Sequence, residues 1–293
     1  MHIVAAGVSG FLGTELTEEL TKAGHQVTRL VRSDPKGPDE SLWNPHSGNI
    51  DSSVFDGADA VVNLCGVNVG DKRWTPTYKH LILSSRVNPT RLLAAGCARL
   101  GIPVLLNASA VGYYGARGSE IVTEDTPAGD TFLADVCEQW EWATNVARDA
   151  DVRVVNLRSG LVLGDGGLLL PKVALITRLM LGGRLGSGQQ YFPWIAVEDH
   201  IAAMIHLLTA PVKGPVNLTA PYPVTNAEFT KEVGHALGRP TPWIVPGFAL
   251  HAVLGEFAVE VLNGQRAVPT KLHESGFDFK YRTLPEALAA ELG

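Results

Sequence analysis

Val4-Ala5-Ala6-Gly7-Val8-Ser9-Gly10-Phe11-Leu12-Gly13, at the start of the chain, decides the fold. His2 to Ala6 is short, apolar and closed by a glycine, the pattern of a buried strand. Phe11 to Ala23 reads as a helix, with Leu12, Leu16 and Leu20 recurring on one face. Between them run Gly7, Gly10 and Gly13. The first allows a tight strand-to-helix turn, the second lets backbone approach a pyrophosphate, and the third lets the helix pack close to the sheet. Free backbone N–H groups and the helix dipole there suit anionic phosphates. A glycine triplet placed between a first strand and a first helix is the context in which it signals a dinucleotide site. The fold expected is a Rossmann-like doubly wound parallel α/β sheet with a smaller C-terminal α/β lobe. Residues 1–165 would form the dinucleotide-binding domain and 166–293 the smaller lobe, with 193–212 returning to the first.

The next strand, Gln26 to Val31, ends Leu30-Val31-Arg32-Ser33. An acid at the end of this strand would hold the ribose 2′-hydroxyl of NAD, whereas an arginine would accept a 2′-phosphate. Arg32 stands there, and its planar fork suits a phosphate, so NADP is the expected cofactor. The plainer reading of Arg32 is a solvated surface side chain. Asp59 to Leu64 is a third buried strand, running into Cys65 and Gly66, small residues beside which an adenosine could lie. Asp71 to Leu100 is a long helical stretch that Pro76 would start and Pro89 would kink or divide. A further strand, Pro103 to Asn107, leads into Ser109, Tyr113 and Tyr114, at the sheet edge where open α/β folds bind ligands. The tyrosines could equally be packing.

Composition narrows the function classes. The 293 residues carry a formal charge of −6 and no basic stripe, so nothing points to nucleic acid. Cys65, Cys97 and Cys137 are widely spaced, without Cys-x-x-Cys, which suggests neither zinc nor a disulfide scaffold. His200 and His206 are six apart and do not share a helix face, so structural roles are expected and no metal site. No apolar run has membrane-spanning length, and the chain opens directly on a strand, so a cytoplasmic protein is expected. A small-molecule substrate fits the fold. The two long helices could form a homodimer bundle or pack on the sheet. The run Gly182–Gly188 reads as flexible, and Phe192 and Trp194 could wall a substrate cleft.

Together these motifs resemble the extended short-chain dehydrogenase/reductases, the nucleotide-sugar epimerase class. More closely, the chain is similar to the atypical SDR39U1-like (SulA-type) epimerase branch with its DUF1731 C-terminal domain. Arg73-Trp74, Ser85-Arg86-Val87, Arg158-Ser159-Gly160, Gly186-Ser187-Gly188, Phe192-Pro193-Trp194-Ile195 and Gly264 to Pro269 carry that resemblance. It implies an NADP site made by Gly7, Ser9, Gly10, Phe11, Leu12 and Gly13 at the pyrophosphate and Arg32 at the 2′-phosphate. It also implies Leu64, Cys65 and Gly66 near the adenine side, Arg86 from the long helix, and Val162 near the nicotinamide. A glutamate that some relatives offer to the cofactor is Leu81 here.

The departure is catalytic. Ordinary members use Tyr-x-x-x-Lys on a helix, where the ammonium lowers the phenol's pKa. None of the six tyrosines has a lysine four residues later. Phe132 and Val136 stand at the positions of the pair, and neither can exchange a proton. The helper serine's position is Ala110, with Ser109 one residue before. Ser109, Tyr113 and Tyr114 are then the nearest catalytic candidates. Two functions follow. One is an NADP-dependent oxidoreductase or epimerase-like enzyme with another proton donor. The other is a non-catalytic NADP-sensing or partner-binding protein in cell division or assembly.

Overall fold

The computed structural model describes all 293 residues. The chain opens with β1 (His2–Ala6), α1 (Phe11–Lys22) and β2 (Gln26–Val31). Next come β3 (Glu40–Asn44), β4 (Asn49–Ile50), β5 (Ala60–Asn63), α2 (Pro76–Leu100) and β6 (Val104–Ala110). β7 (Ile121–Val122), α3 (Phe132–Trp142), α4 (Asn145–Arg148), β8 (Arg153–Ser159) and β9 (Leu161–Leu163) follow. Then come α5 (Leu169–Arg178), β10 (Gly183–Leu185), β11 (Tyr191–Phe192), β12 (Trp194–Ala196), α6 (Val197–Thr209) and β13 (Gly214–Leu218). The last part holds β14 (Val224–Thr225), α7 (Asn226–Leu237), β15 (Trp243–Val245), α8 (Gly247–Leu254), α9 (Ala258–Leu262), β16 (Arg266–Ala267), α10 (Thr270–Glu274) and α11 (Leu284–Leu292).

Eight strands form one sheet in the order β13-β8-β6-β5-β1-β2-β3-β4. All its pairings are parallel except β3 with β4. β1 lies inside, paired with β2 and β5, and its side chains alternate between two cores. Ile3 and Ala5 face a core shared with Leu16 and Leu20 of α1 and with Ile201, Met204 and Leu207 of α6. Val4 and Ala6 face the opposite core, with Phe55 and with Leu93, Ala94 and Cys97 of α2. Burial on both faces explains why these strands read as unbroken apolar runs rather than alternating ones. Each fully buried leucine on α1 contributes about 1.5–3 kcal/mol through the surface it removes from water.

Pro89 does not divide α2, which is a single helix of 25 residues capped by the Thr75 hydroxyl. Its missing N–H costs one backbone bond, and the buried side chains of Thr90, Leu93 and Ala94 hold the turn that follows against the sheet. The Thr225 and Thr283 capping boxes of α7 and α11 both form. The segment returning to the first lobe is longer than 193–212. It includes β13, the last strand of the sheet, and Leu272 and Phe279 also enter the core on the α1 side. A separate core of Leu170, Trp194, Phe229, Val233 and Leu288 builds the second lobe. Gly182–Gly188 is not a free loop, because β10 pairs in parallel with β15. No helix is long and apolar enough to cross a membrane, and no cluster of three potential metal ligands occurs.

Candidate functional site

The three glycines differ in what surrounds them. Gly7 has φ +76°, and a Cβ there would lie 2.6 Å from the carbonyl carbon of Leu64. At Gly13 a Cβ would lie 2.3 Å from the Cα of Val8, so this glycine sets the close approach of α1 to the strand end. Gly10 is open: its nearest neighbour would be the Gly7 carbonyl oxygen at 4.0 Å. Two glycines therefore serve the protein's own packing, while the third leaves an exposed space at the N-terminus of α1.

That space belongs to a cleft of about 660 Å³ walled by Gly7–Gly10, by Arg29–Ser33 at the end of β2 and by Leu64–Val67 after β5. Two arginines on β2 and its end meet different fates. Arg29 is held by Asp39 at 2.7 Å and Glu40 at 3.2 Å. Arg32 is exposed and has no ion-pair or hydrogen-bonding partner, and its charge reaches Cys65 across the cleft. Burial pushes the Cys65 thiol up to about 12, with Arg32 opposing, so Cys65 is a neutral wall. His46 also lines this cleft, from a segment in which the sequence showed no chemistry.

Arg86 does not line the cleft. Its guanidinium donates to the carbonyl oxygens of Val67 and Ile82, both at 3.0 Å, and lies 5.0 Å from the Trp140 ring. Gly66 sits against it, where a Cβ would be 3.1 Å from the guanidinium carbon. Arg86 thus holds the loop after β5 from behind. Phe11 is likewise turned away from the glycine turn, its ring pressed under Gly164, Gly166 and Gly167. Leu12 and Val162 pack at the edge of the core on the α1 side.

A second cavity, of about 480 Å³, opens beside the first at the carboxyl ends of β6 and β8. Val67 lines the cleft and Val69, on the same loop, lines the cavity. Ala110, Leu133, Ser159–Leu161, Ile176, Leu181 and Phe192 contribute to its mainly apolar wall. Trp194, in contrast, is wholly buried in the second lobe, donating to the Tyr222 carbonyl oxygen at 3.1 Å. Glu260 is the cavity's only charged lining residue. Burial raises its carboxyl above the ordinary range, opposed by the polar groups of Thr131 and Leu133 nearby.

Ser109, Tyr113 and Tyr114 do not line this cavity. Ser109 is buried and its hydroxyl donates to Glu141 Oε1 at 2.7 Å. Glu141 is also gripped by Arg158 through Nε at 2.8 Å and Nη2 at 2.9 Å. Tyr114 is fully buried; its phenol donates to Asn217 Oδ1 at 2.7 Å and accepts from Arg158 Nη1 at 3.0 Å. Burial pushes that phenol up to about 12 despite Arg158. Burial alone would lower Arg158, but the Glu141 carboxylate outweighs it and holds the guanidinium charged. The Tyr113 ring is stacked 3.5 Å from the Arg158 guanidinium carbon. All three candidates are therefore engaged by one buried ion pair.

Ser159, at the end of β8, does line the cavity, and its hydroxyl lies 2.8 Å from His200 Nε2. Burial lowers His200 to about 4, so the imidazole is neutral at pH 7. Its Nδ1 has no partner, so no carboxylate orients it as one would in a catalytic triad. Behind the strand ends lies a ladder absent from the sequence reading. Asn63, Asn107 and Asn156 sit side by side on β5, β6 and β8, with bonds of 2.8 Å and 3.3 Å between them.

Fold and site define a dinucleotide-fold α/β protein whose second lobe closes an apolar cavity against the sheet. The chain belongs to the NAD dependent epimerase/dehydratase family, which matches residues 3–219, and residues 245–291 match the domain of unknown function DUF1731. It is 46% identical over 288 residues to an epimerase family protein of Mycobacterium bovis, covering 98% of this chain and 96% of that one. The crystal structure of human epimerase family protein SDR39U1 with NADPH is similar over 100% of this chain and 99% of that one, at 35% identity and a TM-score of 0.91. A nucleoside-diphosphate sugar epimerase from Corynebacterium glutamicum is similar at 37% identity and a TM-score of 0.82, over 100% of this chain but 58% of that one.

Proposed function

We propose that the chain is an NADPH-dependent oxidoreductase acting on a small, uncharged, largely apolar substrate. The observation that carries this reading is the pairing of two neighbouring spaces with opposite linings. One offers an open glycine turn and an unpaired arginine; the other is apolar with a single carboxylate. The residues present suit the dinucleotide. Backbone N–H groups around Gly10 at the start of α1 would hold the pyrophosphate, and Arg32 the 2′-phosphate. Leu64, Cys65 and Gly66 would flank the adenosine, while Arg86 keeps their loop in place. When bound, the cofactor would supply hydride. The human relative crystallised with NADPH supports this choice of cofactor.

The cavity argues against a nucleotide sugar. A nucleoside diphosphate carries charges that need cations, and no lysine or arginine lines the wall. Ile176 and Leu181 line the cavity and are also exposed, so its apolar surface continues to solvent. Leu179, Met180, Trp243 and Ile244, neighbours in sequence or strand pairing of lining residues, are exposed apolar side chains as well. NADPH oxidation should therefore appear with medium-chain or aromatic aldehydes and ketones and not with nucleotide sugars; the reverse preference would overturn the reading. A non-catalytic NADPH-binding role is the alternative, favoured by apolar Phe132 and Val136 where a proton-exchanging pair would stand. Tight NADPH binding without turnover of any probe is its signature.

A further inference from the structure

We propose that Glu260, delivered from the second lobe, is the acid that meets the carbonyl oxygen of a ligand in the apolar cavity. The inference rests on the oxidoreductase reading for the substrate's chemistry, but its geometry stands on the cavity itself. A carbonyl reduced by hydride needs a proton at oxygen, and the usual donor positions on α3 are Phe132 and Val136. Among the residues lining the cavity, only Glu260 and Tyr191 carry a side chain suited to donate that proton directly from an acidic group. Ser159 has a hydroxyl too, but a serine is a far weaker acid and this one is engaged with His200.

Glu260 reaches the start of the helix that carries the two apolar replacements. Leu133, which follows Phe132 on α3, lines the same cavity as Glu260, and Phe257, three residues before Glu260, lines it too. The segment bearing it is clamped there. The Trp74 ring lies between Phe132, at 5.0 Å and edge-on, and Phe257, at 5.4 Å. Lys79 of α2 pairs with Glu256 and covers the Phe132 ring at 4.8 Å. Further along, Gln265 donates to the Gly115 carbonyl oxygen at 2.9 Å. The carboxyl therefore arrives beside the place a tyrosine would have occupied, on a segment tied at both ends to the first lobe.

The environment suits an acid. Burial favours the neutral carboxyl, and the polar groups of Thr131 and Leu133 limit how far it is raised. The titratable groups on neighbouring elements include Asp130 and Asp135 at the start of α3, Lys79, Glu256 and, across the cavity, Tyr191; none of them is among the causes that move the Glu260 carboxyl. Tyr191 differs in having Arg266 over its ring, 5.0 Å from the centroid. With the dinucleotide bound, hydride supplied by the reduced nicotinamide would add to the carbonyl carbon as the C=O π pair moves to oxygen. Glu260 gives its proton to that oxygen. The products are an alcohol, the oxidised nicotinamide and a Glu260 carboxylate, which regains a proton from water.

The test is binding and turnover of 4-phenyl-2-butanone by the NADPH- and NADP-loaded protein, from about pH 4.5, an ordinary carboxyl value, to about pH 9. A protonated donor strengthens ketone binding, so wild-type affinity for the ketone in the NADP complex should fall as pH rises through the Glu260 value. Glu260→Gln should remove that dependence while keeping a hydrogen-bond donor, and should lower kcat by about 100-fold or more with KM little changed. Affinity that is flat with pH in wild type overturns the assignment, whatever the turnover. So does a loss that follows Tyr191→Phe and spares Glu260→Gln. pH-dependent ketone binding without NADPH oxidation keeps Glu260 as the contacting acid and overturns the oxidoreductase reading instead. Circular dichroism of each variant separates misfolding from loss of the acid, and the wild-type pH profile needs no variant at all.

Discussion

The dinucleotide cleft and the apolar cavity lie side by side at the same sheet edge, yet they are built by different means. The cleft is made by backbone: a turn whose glycines leave room, and one arginine with no partner inside the protein. The cavity is made by side chains from two lobes, and its one acidic group is the half-buried Glu260 carboxyl. Most polar groups near the strand ends line neither space and satisfy one another instead. Asn63, Asn107 and Asn156 bridge β5, β6 and β8, and Arg158 and Glu141 take up Ser109 and Tyr114. Polarity by itself therefore does not mark function at this edge. What marks it is a polar group without an internal partner, or one turned into a space.

The largest expected effect comes from breaking the buried ion pair that lines neither space. Glu141→Ala would leave Arg158 charged and buried without its counter-ion, which costs roughly 3–5 kcal/mol. Urea unfolding should show that loss as a lower midpoint. An unchanged midpoint would mean that the ion pair does not hold this edge together.

Lowering pH should act through His200. Its folded value, about 4, lies below the usual unfolded value of about 6.5, so the unfolded chain binds the proton first. Stability is then fully present above about pH 6.5 and declines as pH falls toward about 4, by about 3 kcal/mol at most. His200→Gln should be less stable at pH 7 but should flatten that part of the curve. An equal slope in both proteins would place the acid sensitivity elsewhere.

The glycine turn gives a finer division. Gly13→Ala should lower stability, because its Cβ would collide with Val8, whereas Gly10→Ala should unfold at the wild-type midpoint. Gly10→Ala should nonetheless weaken NADPH binding by about tenfold or more, since the added methyl occupies the space left for the pyrophosphate. Equal loss of stability in both variants would mean that Gly10 is structural like its neighbours.

These contrasts also explain what was legible in the sequence. The strand–turn–helix opening and the buried strands are local patterns, and each formed as its residues dictate. The place of Arg32 in the cleft was legible because its position after β2 is a local count from the glycines. Ser109 and Tyr114 followed the same logic, lying just past a strand, but their partners Glu141, Arg158 and Asn217 come from three distant elements. Arg86 was nominated for the cofactor and instead supports the loop beside it. Glu260 carried no signal at all, since α9 has five residues and no motif, and its place beside α3 exists only once the lobes pack. The asparagine ladder was hidden for the same reason, because its members meet only across parallel strands joined by long connections.

Calorimetric titration of NADPH and NADH into wild type and Arg32→Ala tests the central claim most directly. Loss of charge-assisted hydrogen bonds to a 2′-phosphate should weaken NADPH binding by about 10- to 100-fold, leaving weak NADH binding unchanged. Equal affinity of wild type for the two cofactors, or NADPH binding that survives in Arg32→Ala, would contradict it.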